Sequence, residues 1–277
     1  MKKLLPLALF FLTTLLLAYE DSDFDGVENS LDRCPSTPFS ELVDINGCTV
    51  KSLISSHKFD FIIGASYSES DYQTLNQTDT LSSSIQLDYY YKNFSLQFTT
   101  SYFTSDGNEY SDSGFNDSFL SIFYNIAPLD SLLIKVGFGL VLPTYETPYE
   151  NNNLDYSALL SLSYQLKDVN IFASYLYTII NDGDFSYVDA NTTHSVNYQN
   201  TTSLSLGLGY YINDSLYLSS SYNTSNSIYS NIEDIDTLSL YSYYSLNQEY
   251  FTTLSYAYGL SDSASKHYLS LRLGYLF

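Results

Sequence analysis

The residues best suited to bind an ion lie near the N-terminus, in the run Asp21-Ser22-Asp23-Phe24-Asp25-Gly26-Val27-Glu28-Asn29-Ser30-Leu31-Asp32. Calcium takes about six to eight hard oxygen ligands, which a loop can supply from positions 1, 3, 5, 9 and 12 and a backbone carbonyl at 7, with glycine at 6 for the sharp turn. With Asp21 as position 1, the predicted ligands are the side chains of Asp21, Asp23, Asp25, Asn29 and Asp32 and the carbonyl of Val27. Asp32 stands where such loops usually carry glutamate, and its shorter arm predicts a weaker site. A solvated acidic linker would share the aspartates but would not need Gly26. Cys34 and Cys48 follow; in a secreted chain this even pair predicts a disulfide. Such a link would stabilise a segment too small to build its own core by roughly 3 kcal/mol.

The pattern Asp21-x-Asp23-x-Asp25-Gly26-Val27-x-Asn29-x-x-Asp32-x-Cys34-Pro35-x-Thr37-Pro38, followed by Val43-Asp44-Ile45-Asn46-Gly47-Cys48, resembles the thrombospondin type 3 calcium-binding repeat. The resemblance implies calcium binding and rigidity over residues 19–52. Repeats of this kind also serve as linkers between a barrel and a peptidoglycan-binding domain in bacterial outer-membrane proteins. Here the repeat precedes the remaining segments instead.

These segments require a delivery route and a scaffold. Lys2 and Lys3 followed by the apolar stretch Leu4 to Leu17 read as a signal peptide over residues 1–18, with cleavage expected after Ala18. The stretch falls short of the roughly 20 apolar residues of a spanning helix. No later stretch approaches that length, so a membrane-embedded remainder has to be a closed barrel, the other structure that satisfies every backbone polar group in lipid.

Residues 53–277 carry the matching pattern. From Phe59 onward, segments of roughly ten residues place apolar side chains on every second position. Phe59, Phe61, Ile63, Ala65 and Tyr67 alternate with Asp60, Gly64, Ser66 and Ser68, and Leu81, Ile85, Leu87 and Tyr89 alternate with Ser82, Ser84, Gln86 and Asp88. The composition agrees: 30 tyrosines and 17 phenylalanines among 277 residues suit pleated, half-buried surfaces. Short turns are predicted at Lys92-Asn93, Ala127 to Asp130, Lys167-Asp168, Asn213-Asp214 and Asn247-Gln248. Longer polar links lie near Asp71, Asp106, Glu146, Asp184, Glu233 and Asp262. The predicted fold is all-β, a transmembrane antiparallel up-and-down barrel of about twelve strands behind a small disulfide-linked calcium-binding module. An even strand count puts both ends of the barrel, and hence the module, on the periplasmic side.

The final stretch, Tyr268 to Phe277, alternates strictly and closes on phenylalanine. It resembles the terminal strand by which bacterial outer-membrane barrels are recognised, which implies Tyr275 and Phe277 as an assembly signal and the barrel assembly machinery as a partner. Tyr67, Tyr102, Tyr124 and Tyr164 are expected in the interfacial girdles.

Alternation also predicts the lumen wall: Ser82, Ser84, Gln86, Ser95, Gln97, Ser161, Ser163, Ser203, Ser205, Ser219, Ser221 and Ser255, with Gly137, Gly139, Gly207 and Gly209. This is a neutral, polar and small-grained surface, with Asp60, Asp88, Lys135, Asp155 and Arg272 as its charges. Asp60 and Arg272 fall on the two strands that close the barrel, where they could form an ion pair across the seam. A formal charge of -21 excludes nucleic acid as a partner, because phosphate backbones require basic patches. The acidic loops suit cation bridging to lipopolysaccharide at the outer-membrane lipid surface. His57, His194 and His267 show no spacing that suggests a serine nucleophile and its base, so no enzyme is expected. The best reading is a narrow channel for small solutes in the outer membrane of a Gram-negative bacterium. A non-conducting structural or surface-interaction protein follows, and an outer-membrane enzyme comes third.

Overall fold

The computed structural model describes residues 22, 27, 29, 32–35, 43, 45–46, 48, 57–70, 77–107, 111–146, 151–189 and 192–277. The signal segment 1–18, the ligand positions Asp21, Asp23 and Asp25, and the link at Asp71 lie outside the described residues. The chain divides into two compact units at Ser55/Ser56.

Among the described residues, fifteen strands follow one another in the second unit: β1 (His57–Ser70), β2 (Thr78–Tyr91), β3 (Phe94–Gly107), β4 (Ser111–Phe115), β5 (Ser118–Leu129), β6 (Leu132–Leu142), β7 (Asp155–Leu166), β8 (Val169–Ile179), β9 (Phe185–Asp189), β10 (Thr192–Val196), β11 (Thr201–Asn213), β12 (Leu216–Ser225), β13 (Ile235–Ser245), β14 (Tyr250–Gly259) and β15 (His267–Leu276). Each barrel strand pairs antiparallel with its neighbours, and β1 against β15 closes the ring. β4 and β5 pair with successive parts of β3 and together form one wall position, so the closed barrel has twelve strands, as expected. β9 and β10 form a separate hairpin within the link between β8 and β11, a pair that the alternation of the sequence does not reveal. Among the described residues, no helix is long and apolar enough to cross a membrane.

The turns explain the register. Lys92 and Lys167 adopt positive φ values of 53° and 54° at the tight β2–β3 and β7–β8 turns, where a left-handed residue matches the twist of the flanking strands. Asn213 Oδ1 accepts from the N–H groups of Ser215 and Leu216, and Asn247 Oδ1 accepts from those of Glu249 and Tyr250, closing two further turns with side-chain oxygens. The β5–β6 turn is tighter than expected. Ala127 and Pro128 belong to β5 at a register irregularity, where a residue without an N–H is tolerated, and the chain reverses at Asp130-Ser131.

Short turns gather at one end of the barrel, together with the start of β1 and the end of β15; the longer links gather at the other. Leu81, Leu206, Leu240 and Leu271 lie on the outer face and remain exposed, a pattern with a physical basis only in lipid. Tyr67 and Tyr102 near the loop end, and Tyr124 and Tyr164 near the turn end, are exposed on the same face. At the seam, the Phe277 N–H donates to the Phe59 carbonyl at 2.9 Å and the Phe59 N–H to the Phe277 carbonyl at 2.8 Å. The Phe277 ring lies 5.4 Å from Phe59 and 5.5 Å from Tyr275.

Candidate functional site

Because each strand alternates, the functional surface is the inner wall. On β15, β1, β2 and β3 it carries a chain of polar side chains. Arg272 donates from Nη2 to Gln86 Oε1, Gln86 Nε2 donates to Asp88 Oδ2 at 2.6 Å, and Gln97 Nε2 donates to Asp88 Oδ1 at 2.9 Å. The Tyr90 hydroxyl donates to Asp60 Oδ2 at 3.0 Å. The ion pair considered across the seam is not formed. Asp60 stands opposite Leu276 while Arg272 stands opposite Gly64, four residues further along β1, and each charge takes a partner on β2 instead. Lys135 on β6 places its ammonium 5.5 Å from the centre of the Phe123 ring.

The inner wall is less uniformly small than its serines suggest. Phe123, Phe172, Tyr217 and Phe251 also face inward, each opposite or near a glycine on the adjacent strand. A Cβ at Gly207 would sit 2.2 Å from the Phe172 ring, and one at Gly274 would sit 2.1 Å from that of Phe251. Glycine is required there because the ring occupies the space of a side chain, lying along the wall rather than across the lumen. Nearer the loop end, Phe119, Val141, Leu159 and Leu176 form an apolar wall beside a cavity of about 300 Å³. Phe119 is 47% exposed and Leu176 36% exposed although both face inward. No large side chain among the described residues is fully buried, so the interior is not a packed core.

The loop end is ordered by amide and carboxylate side chains. Asp117 accepts from the Tyr145 N–H at 2.9 Å and from Asn152 Nδ2 at 2.8 Å; Asp182 accepts from the Asn153 N–H at 2.8 Å; and Asp184 accepts from the Tyr198 N–H at 2.7 Å. Burial holds the Asp182 carboxyl above the usual range; Asp117 nearby adds to this, and the bond from Asn153 opposes it. Asp155 lies at this rim, accepting from the Asn181 N–H at 2.7 Å.

In the first unit, Cys34 and Cys48 are joined by a disulfide. Asn29 Oδ1 accepts from the Ser22 N–H at 2.9 Å, while its Nδ2 donates to Ser22 Oγ at 2.8 Å. Asp32 Oδ1 accepts from the Cys34 N–H at 2.8 Å, and Asp32 Oδ2 is buried without a hydrogen-bond partner among the described residues. A buried carboxylate oxygen without a donor is costly unless a cation meets it. Among the described residues, no group of three or more acidic, histidine or cysteine side chains could hold a metal.

Closed wall, lipid-compatible outer face and largely polar inner face define the class: a transmembrane β-barrel with the fold of bacterial outer-membrane proteins. Among solved structures, the chain is similar to an outer membrane channel from Pseudomonas putida F1, with a TM-score of 0.65 at 10% identity, covering 82% of this chain and 97% of that one. It is also similar to the translocator domain of the autotransporter NalP from Neisseria meningitidis, with a TM-score of 0.52 at 10% identity, covering 82% and 91%. No family model matches the chain, and no curated protein matches it. At these identities the likeness establishes the fold, and it extends over barrels with different tasks.

Proposed function

We propose that the protein is an outer-membrane channel for small solutes, with a periplasmic calcium-binding module ahead of the barrel. The observation that carries this reading is the state of the interior: inward Phe119 and Leu176 stay exposed in a closed barrel of intermediate width, so the lumen has room for water. Flat-lying rings over glycines keep that room open. The decisive measurement is single-channel conductance of the refolded barrel in planar bilayers. Discrete openings are expected, and a barrel that never conducts would leave a structural or surface-interaction role.

β1 begins at the short-turn end, the periplasmic end of outer-membrane barrels, which supports a periplasmic module. Asp21, Asp23, Asp25, the Val27 carbonyl, Asn29 and Asp32 would hold the ion, stiffening the segment beside the disulfide. Calorimetry on the full chain should detect calcium binding in the roughly 10⁻⁴ to 10⁻³ M range of extracellular modules. D23A/D25A should abolish it; unchanged heat in that variant would refute the assignment. Tyr275 and Phe277 serve as the recognition element for the assembly machinery, and the acidic loops bind lipopolysaccharide through bridging divalent cations.

A further inference from the structure

The outer mouth holds a second cavity, of about 620 Å³, within the range typical of small-molecule sites. Ile228, Tyr229, Ile232 and Ile235 form its apolar wall; Ser203 of β11 and Ser225 of β12 add hydroxyls from the barrel. Ile228 and Ile232 stay substantially exposed in a link whose other residues are chiefly Asn, Ser, Glu and Asp. Apolar side chains turned into a water-filled hollow gain free energy when an apolar molecule displaces that water.

A second, independent feature points to the same place. Ser263, in the link between β14 and β15, also lines the cavity; it is 7% exposed, and its Oγ has no hydrogen-bond partner among the described residues. A buried hydroxyl of this kind is satisfied by a ligand that can donate to it or accept from it. The site is also preformed. The Gln199 N–H donates to the Ile228 carbonyl at 2.8 Å, the Ser230 N–H to the Asn197 carbonyl at 3.0 Å, and Gln199 Nε2 to the Ser227 carbonyl at 2.9 Å. These bonds pin the isoleucine-bearing link against the link between β8 and β11.

The cavity adjoins the deeper one. Thr201 and Ser203 on its floor pair across the β8–β11 ladder with Thr178 and Leu176, which line the deeper cavity beside Phe119, Val141 and Leu159. Among the described residues no charged side chain lines either cavity, so these walls do not compensate the desolvation of an ion.

We propose that the mouth cavity is an entry site for a small, neutral, mostly apolar molecule carrying one hydroxyl or similar hydrogen-bonding group, which Ser263 engages. The molecule then follows the apolar wall of β5 to β8 inward. The binding site stands on its own geometry; the inward passage rests on the channel reading.

Equilibrium dialysis of the purified full chain in detergent, against empty micelles, tests the site with 2-naphthol, 2-naphthoate, naphthalene and glucose. Naphthol should bind saturably, naphthoate at least about tenfold more weakly, which corresponds to about 1.4 kcal/mol, and glucose not at all. I228D/I232D should weaken naphthol at least about tenfold while the barrel keeps its heat-modifiable gel shift. S263A should bring naphthol down toward naphthalene. Uptake equal to that of empty micelles, naphthoate binding as tight as naphthol, or variants that bind unchanged would each overturn the site. Planar bilayers separate the two readings: a barrel that binds naphthol without conducting refutes only the channel, and one that conducts without binding or block by naphthol refutes only the site.

Discussion

Arg272 is the lumen cation most firmly integrated with its surroundings, joined through Gln86 to Asp88. Replacing it with glutamine removes a positive charge from a wall that then keeps Asp60 and Asp88 against the more distant Lys135. R272Q should therefore raise the permeability of cations relative to anions, read as a shifted reversal potential in a salt gradient, while R272K should leave it nearly unchanged. An unchanged potential in R272Q would mean that ions pass elsewhere. At this scale the polar inward positions were legible from alternation, but the inward rings were not. Phe123 sits between outward Ile122 and Tyr124, and Phe172 between outward Ile171 and Ala173, so each vanishes into an apolar run. The clue was the pairing of each ring with a glycine, which depends on a register that the sequence alone does not print.

The strands and their turns were legible because a period of two and an Asn, Asp or Lys at each reversal follow from backbone physics. The twelfth-strand count survived the break at Asn116-Asp117 because β4 and β5 share one partner. The β9–β10 hairpin and the interlocked links at the mouth escaped, since short polar segments carry little periodicity and their shape depends on contacts between links distant in sequence. Two predictions belong to the elements. Lys167 holds a left-handed conformation that costs a non-glycine residue roughly 1–2 kcal/mol, so K167G should raise unfolding stability in urea by a good part of that. Leu206, outward near the middle of β11, should sit at the hydrocarbon; L206R should destabilise the folded barrel by about 2–4 kcal/mol if it lies near the midplane. Refolding into vesicles measures both, and an L206R barrel as stable as the parent would contradict the lipid-facing assignment.

At the scale of the whole barrel the net charge differs between the two ends. Among the described residues, Lys58, Lys92 and Lys167 at or near the short-turn end nearly offset Asp130, Asp168, Asp214 and Glu249 in the turns, whereas Asp117, Asp182, Asp184, Glu233, Asp234 and Asp262 lie at the loop end. The one lysine described in the loop-end links, Lys266, faces Glu69 at 3.7 Å. The outer mouth therefore carries a negative field that concentrates cations, while the lumen wall below is close to neutral. Such a field acts through water and reaches about 10 Å at 0.1 M salt but only about 3 Å at 1 M. Selectivity set at the mouth should be mildly cationic at low salt and fade as salt rises. It should also fade more when salt is raised on the loop side than on the turn side, because the net negative charge lies chiefly on the loop side, the turn-end acids being nearly offset by lysines. Reversal potentials in bilayers with known insertion direction measure this. Equal loss from both sides would mean that the loop-end charges do not set the selectivity.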